Sequence, residues 1–184
     1  FPLWRIRLRK QEITILNKIE KHLGRKIYCL HDVGCGVGFF LQTAKQKGIK
    51  VSGNELNAYA CSIIKEIYGI NIYNKILTKT KIKNNSLDAI TFKDYLEHSY
   101  HPLEDLTYSF KLLKKGGVIF IETFHIDCEK FNKLKGKWNY LFWNHVYHFS
   151  VDNLIKIVKR AGFNIVEIKA NRNNHIIKIY AKKS

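Results

Sequence analysis

The sequence is poor in acidic residues and in proline, and it has no long hydrophobic run. It carries 15 aspartates and glutamates against 32 lysines and arginines, and only two prolines. No apolar run approaches the roughly 18 residues of a membrane-spanning helix, which argues against a protein that crosses a membrane in that way. With 46% apolar residues in a chain of 184, the composition favours one soluble globular domain with a filled core.

The four cysteines are scattered, with no C-x-x-C pair and no histidine at zinc-finger spacing. This pattern argues against a zinc module and against a disulfide scaffold, and it favours a reducing compartment. No signal peptide is visible, so we expect a cytoplasmic protein.

The formal net charge of +17 indicates a partner rich in phosphate, such as a nucleotide-linked substrate, nucleic acid or a membrane surface. The lysines are spread along the whole chain rather than gathered in one block. Diffuse charge attracts nucleic acid less than a clustered stripe does, so a small-molecule partner is favoured and nucleic acid stays an alternative.

Strand and helix patterns alternate along the chain. A helix is expected over 10–24 and another over 150–162, with Ser150 as its N-cap. The alternation predicts an α/β fold: a Rossmann-like, doubly wound, mostly parallel seven-stranded sheet that ends in an antiparallel hairpin. The predicted strands read, in order, KIYCLHDV, IKVSGNEL, INIYN, SLDAITFKD, GVIFIETF, FNIVEIKA and HIIKIYAKK.

The first predicted strand leads into the stretch HDVGCGVGFF, with Gly34, Gly36 and Gly38 on alternate positions and Asp32 just before them. Glycines let backbone N–H groups approach a ligand, and a helix N-terminus adds partial positive charge. The second strand ends in Glu55, which could accept hydrogen bonds from both hydroxyls of a ribose. Together these features predict a cofactor that contains adenosine.

The spacing G-x-G-x-G differs from the G-x-G-x-x-G of dinucleotide sites. A carboxylate at Asp32 would repel a pyrophosphate, whereas it suits the ammonium group of a methionine moiety. The charge pattern therefore favours S-adenosylmethionine over a dinucleotide.

Five segments resemble known motifs. HDVGCGVGFFL and VSGNEL resemble the first and second motifs of class I S-adenosylmethionine-dependent methyltransferases. The segments SLDAITFKDYLEHSYHPLEDL, LLKKGGVIFIETF and HVYHFSVDNLIKIVKRAGF resemble the group that contains ubiquinone-biosynthesis O-methyltransferases and sugar C-methyltransferases. The resemblance runs from about Ile27 to Ala181 and implies a methyltransferase whose product is S-adenosylhomocysteine.

The resemblance also implies the roles of particular residues. Glu55 would hold the ribose hydroxyls, Leu56 would pack on the adenine, and Lys93 and Asp94 would border the sulfonium and the substrate. The remaining cofactor residues, around the methionine portion and ribose, are Asp32, Gly34, Cys35, Gly36 and Gly38.

These roles divide a single domain, 1–184, into four parts. An N-terminal arm and helix occupy 1–26, and the cofactor-binding core occupies 27–124. An aromatic lid, 125–149, follows, and a C-terminal helix and hairpin, 150–184, complete the domain.

Two clusters could remove a proton from the acceptor. In DYLEHSYH, helical spacing would place Asp94, Glu97 and His98 on one face, where they could bind a divalent cation or only brace the following helix; we assign no metal. In WNHVYHFS, His145 falls on the histidine of a Glu-His pair in sugar C-methyltransferases, while Asn144 replaces the glutamate. Asp94, His98 and His145 are the predicted catalytic residues, and a histidine that packs the lid is the alternative.

The absence of two known motifs narrows the range of possible methyl acceptors. Neither Pro2 nor Pro102 has the context of an amino-DNA methyltransferase motif or of a cytosine C5 nucleophile. An O, N or C atom of a small molecule remains, with phosphate- or nucleotide-linked compounds included because of the lysines in the lid. The alternatives are an RNA methyltransferase and a non-catalytic binding module that keeps the methyltransferase fold. Those lysines are Lys130, Lys133, Lys135 and Lys137.

Overall fold

A computed structural model of the protein describes residues 10–134, 137, 144–171 and 173–184. Within these residues, six strands form one sheet in the order β2-β1-β3-β4-β6-β5. Strands β1 to β4 are parallel, and β6 runs antiparallel to both β4 and β5. The bounds are β1 Cys29–Val33, β2 Lys50–Asn54, β3 Leu87–Lys93, β4 Leu113–Phe124, β5 Phe163–Asn171 and β6 Asn174–Lys183.

The Rossmann-like fold and its C-terminal antiparallel hairpin are confirmed, but the described residues form six strands and not seven. The predicted strand INIYN is reduced to one isolated parallel bridge between Asn54 and Tyr73. Beyond Tyr73 the chain turns, because the Asn74 side-chain amide donates to the backbone carbonyls of Glu55 and Leu56. The segment therefore braces the end of β2 and adds no ladder of its own.

Helices cover both faces of the sheet and enclose two hydrophobic cores. One core receives side chains from α1, α2 and α3, and the other from α4 and α6. The predicted N-cap is confirmed, since the Ser150 hydroxyl accepts a hydrogen bond from the Asn153 amide at 3.1 Å. The bounds are α1 Lys10–Leu23, α2 Phe39–Gln46, α3 Ala58–Tyr68, α4 Pro102–Leu112, α5 Glu129–Leu134 and α6 Val151–Arg160.

A buried carboxylate, Asp88, ties together the edge of the sheet at which β1 and β3 begin. Its oxygens accept hydrogen bonds from the backbone amides of Tyr28 and Cys29, at 2.9 and 2.8 Å. The Arg25 guanidinium and the Lys114 ammonium donate to it at 2.8 and 2.9 Å. Burial opposes ionisation, but the hydrogen bonds from these two cations outweigh it and lower the pKa of Asp88 to about 2.

We expect Asp88→Asn to lower the free energy of unfolding at pH 7 by about 2 kcal/mol, because a native pKa below the unfolded value contributes stability above the unfolded pKa. That contribution disappears as pH falls from about 4 towards 2, so the two proteins should converge in acid. Urea denaturation at pH 7 and pH 3 measures both effects. The control is Glu129→Gln, which removes an exposed pair with Lys133 and should cost less than about 0.5 kcal/mol. An equal loss in both variants at pH 7 would contradict the anchoring role of Asp88.

Candidate active site

The carboxyl ends of β1, β2 and β3 lie side by side at one edge of the sheet. In the register, Val33 is opposite Asn54, and Asp32 is opposite Thr91. Because the three strands are parallel, the glycine turn after β1, Glu55 after β2 and the end of β3 meet at that edge. The structure thus brings together the predicted cofactor residues from three separate parts of the sequence.

The glycine turn needs its glycines for conformation and for space. Gly34, Gly36 and Gly38 have φ angles of 64, 53 and 80°, in the left-handed region that other residues adopt at a cost. A Cβ at Gly34 would lie 2.4 Å from the ring of Tyr95, whereas one at Gly36 would meet nothing within 4 Å. The turn therefore packs closely on Tyr95 on one side and leaves its backbone open at Gly36.

Glu55 holds this turn in place. Its carboxylate accepts hydrogen bonds from the Gly36 amide at 3.0 Å and from the Asn57 amide at 2.9 Å. A carboxylate has about four lone-pair sites, so acceptor capacity remains for two ligand hydroxyls. The neighbouring Leu56 is 65% exposed. It lines the cavity next to the glycine turn, where it offers an apolar surface for a flat ring.

Asp32 lies beneath the turn rather than on its surface. It is 3% exposed, and its carboxylate accepts a hydrogen bond from the Thr91 hydroxyl at 2.5 Å. Burial raises the pKa of Asp32 to about 6, against the effects of the Thr91 hydrogen bond and the Lys93 charge. The sequence indicated the carboxylate but not Thr91, because a threonine inside a strand gives no sign of its partner.

The cleft is one cavity of about 1490 Å³. Its lining begins at the glycine turn and at Asp94 after β3, and it continues past the predicted catalytic residue His98. The predicted residues that line it are Gly34, Glu55, Leu56, Asp94 and His98, and the lining residues that the prediction missed include Asn54, Ile76, Thr78, Tyr95 and Tyr100.

Tyr95, Ser99 and Asp105 fix the wall of this cavity that adjoins the glycine turn. The hydroxyls of Tyr95 and Ser99 donate to the buried Asp105 carboxylate at 3.1 and 2.7 Å. The Tyr95 ring packs on Gly34 and on Phe92. Two strand ends and the first turn of α4 are thereby held at a fixed separation, which rigid placement of two reactants requires.

The predicted catalytic histidines lie against each other. The rings of His98 and His145 have centroids 4.7 Å apart in an edge-to-face arrangement. The Nδ1 of His98 lies 3.0 Å from the Asn144 carbonyl, and since a carbonyl only accepts, His98 donates there and leaves Nε2 as an acceptor. In this tautomer the basic nitrogen of His98, Nε2, is not used in the hydrogen bond with Asn144.

Glu97 joins the two histidines, so that their three side chains could hold a metal ion. One ligand atom from each lies within 4.8 Å of the others. Burial raises the pKa of Glu97; one of its oxygens accepts from Thr123 at 2.8 Å, and the other has no hydrogen-bond partner among the described residues. Asp94 is outside this group, contrary to the helical spacing, because a 3₁₀ turn begins only at Leu96.

The described end of the aromatic lid, 144–149, docks on that 3₁₀ turn. The Tyr147 amide donates to the Glu97 carbonyl at 3.1 Å, which complements the contact between His98 and Asn144. Lys130, Lys133 and Lys137 are exposed, with Lys133 beside Glu129. Lid residues 135–136 and 138–143 lie outside the described part of the chain, and they include Lys135 and the aromatic residues Trp138, Tyr140, Phe142 and Trp143.

The glycine turn with carboxylates on two adjacent strand ends defines an S-adenosylmethionine-binding domain of the class I methyltransferase type. Residues 6–168 match the family model described as a methyltransferase domain, and the chain belongs to this family. The predicted class and the predicted cofactor, S-adenosylmethionine, are thereby confirmed.

The similarity to individual curated proteins is low, at 25–28% sequence identity for two relatives. The chain is 25% identical over 179 residues to a ubiquinone biosynthesis O-methyltransferase of Azoarcus sp. (strain BH72), covering 90% of this chain and 77% of that protein. It is 28% identical over 159 residues to a tRNA U34 carboxymethyltransferase of Sulfurovum sp. (strain NBC37-1), covering 83% of this chain and 53% of the relative.

A solved structure shows the same fold. The magnesium protoporphyrin IX methyltransferase of Synechocystis PCC 6803, solved with bound S-adenosylhomocysteine, matches with a TM-score of 0.73 and 17% identity. The match covers 95% of this chain and 83% of that one. Within the described residues, no helix combines the length and apolar character that a membrane span requires.

We expect Asp32→Asn to stabilise the cofactor-free protein by about 1–3 kcal/mol at pH 8 and to weaken cofactor binding at least about tenfold. The native pKa of about 6 lies above the unfolded value. Ionisation of Asp32 therefore lowers stability as pH rises through the window from about 4 to 6, and asparagine removes that effect. Thermal unfolding across pH, together with calorimetry with S-adenosylmethionine, measures the two changes.

Glu55→Gln is the matched control for this prediction. It neutralises the second carboxylate of the predicted cofactor site without removing a buried charge, so binding should weaken about tenfold while stability stays within about 0.5 kcal/mol. If Asp32→Asn left both stability and affinity unchanged, the buried carboxylate would have no part in the site.

Proposed function

We propose that the protein transfers a methyl group from S-adenosylmethionine to an O, N or C atom of a small-molecule acceptor, with phosphate- or nucleotide-linked compounds included. The observation that carries the proposal is the single cavity of about 1490 Å³, because a volume of that size exceeds the need of the cofactor and reaches His98. The bound cofactor supplies an electrophilic methyl group on a positively charged sulfur. The protein aligns the acceptor with it and removes the acceptor's proton.

The geometry of the turn supports the cofactor roles that we propose. Glu55 accepts the ribose hydroxyls while it keeps the turn closed through Gly36. Leu56 covers the adenine, and Asp32 attracts the ammonium of the methionine moiety. Because burial raises the pKa of Asp32, its carboxylate gains from a cationic partner such as this ammonium. Those residues act with the turn residues Gly34, Cys35, Gly36 and Gly38 and with Lys93 and Asp94 at the end of β3.

The acceptor's proton passes to the histidine pair. His98 presents Nε2 as an acceptor because Nδ1 is held by Asn144, and His145 lies edge-on to its ring. A neutral imidazole is a competent base near neutral pH. Asp94, on the cavity surface, borders the acceptor and the sulfonium.

An RNA acceptor is the second candidate, supported by the charge of +17 and by the similarity to a tRNA carboxymethyltransferase. RNA binding that weakens steeply between 50 and 200 mM salt, with no methyl transfer to small molecules, would favour it. The similarity to a ubiquinone-biosynthesis O-methyltransferase supports the small-molecule proposal.

We expect His145→Ala to lower kcat at least about tenfold and to change the affinity for S-adenosylmethionine by less than about twofold, because the histidine acts on the acceptor. Initial rates and calorimetry with the same preparations separate the two effects. The control is His22→Ala. His22, on α1, pairs with Glu167 on β5, so this variant should leave kcat unchanged. Turnover equal to that of the wild type would assign His145 to packing, and cofactor binding without any turnover in the wild type would favour a non-catalytic module.

We also expect turnover to survive exhaustive chelation, because the proposed chemistry uses the histidines as a base and assigns no metal. Rates are compared before and after dialysis against a strong chelator, with elemental analysis of both samples. Loss of turnover that a divalent cation restores would instead make Glu97, His98 and His145 ligands of a metal centre, since these groups suit such ions.

A further inference from the structure

A partly buried ion pair links the N-terminal helix to the end of β3. A carboxylate oxygen of Glu12, in the first turn of α1, lies 3.6 Å from the ammonium of Lys93. Glu12 is 3% exposed, and the side chain of Lys93 is 19% exposed. The residues come from opposite sides of the boundary that the sequence suggested between an N-terminal arm and the cofactor-binding core.

Two further contacts define where the Lys93 ammonium stands. It lies 5.2 Å from the centroid of the Phe40 ring, over the second residue of the helix that begins at the glycine turn. Its charge acts on the carboxylates of Asp32 and Asp94. The ammonium therefore lies near Asp32, beside Asp94 of the cavity lining, where Asp32 is expected to meet the amino-acid end of the cofactor.

The charges there match an α-amino acid group. S-adenosylmethionine ends in one ammonium and one carboxylate close together, and a carboxylate that leaves water needs a cationic partner. Asp32 offers a carboxylate for the first group, and Lys93 offers an ammonium for the second. A lysine beside a sulfonium is repelled by it, so the anionic partners of Lys93, Glu12 in the protein and the carboxylate of a bound cofactor, would offset that repulsion.

We propose that Lys93 binds the carboxylate of the cofactor's methionine moiety and that Glu12 is a positioning residue that holds the Lys93 ammonium in place. The inference rests on the proposed function, because it takes S-adenosylmethionine as the occupant of the cleft. A lysine stem is flexible, and the ion pair with Glu12 keeps its ammonium from folding onto Asp32 and occupying the place of the ligand's own ammonium. Helix α1 is then part of the cofactor site.

The test compares two ligands that differ only in that carboxylate, S-adenosylmethionine and decarboxylated S-adenosylmethionine. We expect the wild type to bind the first at least about tenfold more tightly. Lys93→Met should weaken binding of the first at least about tenfold and of the second at most about twofold. Glu12→Gln should weaken the first about three- to tenfold and leave the second within about twofold. Calorimetry gives the six affinities of these three proteins for the two ligands, and the decarboxylated ligand verifies that each variant keeps its cleft.

The matched controls are Lys18→Met and Glu20→Gln, both on α1. Lys18 pairs with Glu167, and its side chain is 25% exposed, close to the value for Lys93. Glu20 pairs with Lys26 at 3.0 Å, away from the cleft. Both controls should bind each ligand within about twofold of the wild type.

Each contrary result overturns a distinct statement. Equal losses for both ligands in Lys93→Met, or no loss for either, would overturn the carboxylate assignment. A selective loss in Lys93→Met with none in Glu12→Gln would overturn the positioning role of Glu12. A wild type that binds neither ligand would overturn the proposed function itself and this inference with it.

Discussion

The burial of the Asp32 carboxylate between β1 and β3 is the interaction on which the site depends. The hydrogen bond from the Thr91 hydroxyl offsets part of the cost of burying this charge. Burial still raises the pKa of Asp32 to about 6, so the compensation is incomplete. A buried charge without a full set of partners lowers stability, and a cationic ligand restores what is missing. The protein thus keeps, beneath the glycine turn, a buried carboxylate for which we propose the ligand as the missing partner.

Asp88, on the strand next to that of Asp32, has the opposite environment. It lies at the other end of the sheet and receives two cations and two backbone amides, so that its pKa is lowered to about 2. The surroundings of these two aspartates therefore shift their pKa values in opposite directions within one sheet. The end where the charge is satisfied anchors the strands, and the end where it is not is the one that we propose binds the ligand.

The sequence carried much of this fold because its signals are local. Alternating strands and helices predicted the Rossmann-like sheet, and the spacing of Asp32, the glycines and Glu55 predicted which strand ends meet. The predicted strand at 70–74 was wrong because its period resembles that of a strand, while the Asn74 side chain that turns the chain acts on residues 18 and 19 positions earlier in the sequence. Contacts across long separations, such as Tyr95 over Gly34 or Glu12 beside Lys93, leave no periodic signal at all.

The acceptor side depends on Glu97 in the same way as the cofactor side depends on Asp32. A buried carboxylate oxygen without a hydrogen-bond partner among the described residues is stabilised either by a proton or by a cation shared with the two histidines. In the first state an imidazole of the pair would be the base that we propose for the acceptor, and in the second both imidazoles would be ligands. Both states require the docking of residues 144–149, because Asn144 sets the tautomer of His98 and Tyr147 holds the Glu97 backbone. The arrangement of Glu97 and the two histidines therefore depends on the docking of residues 144–149, whichever of the two states the protein uses.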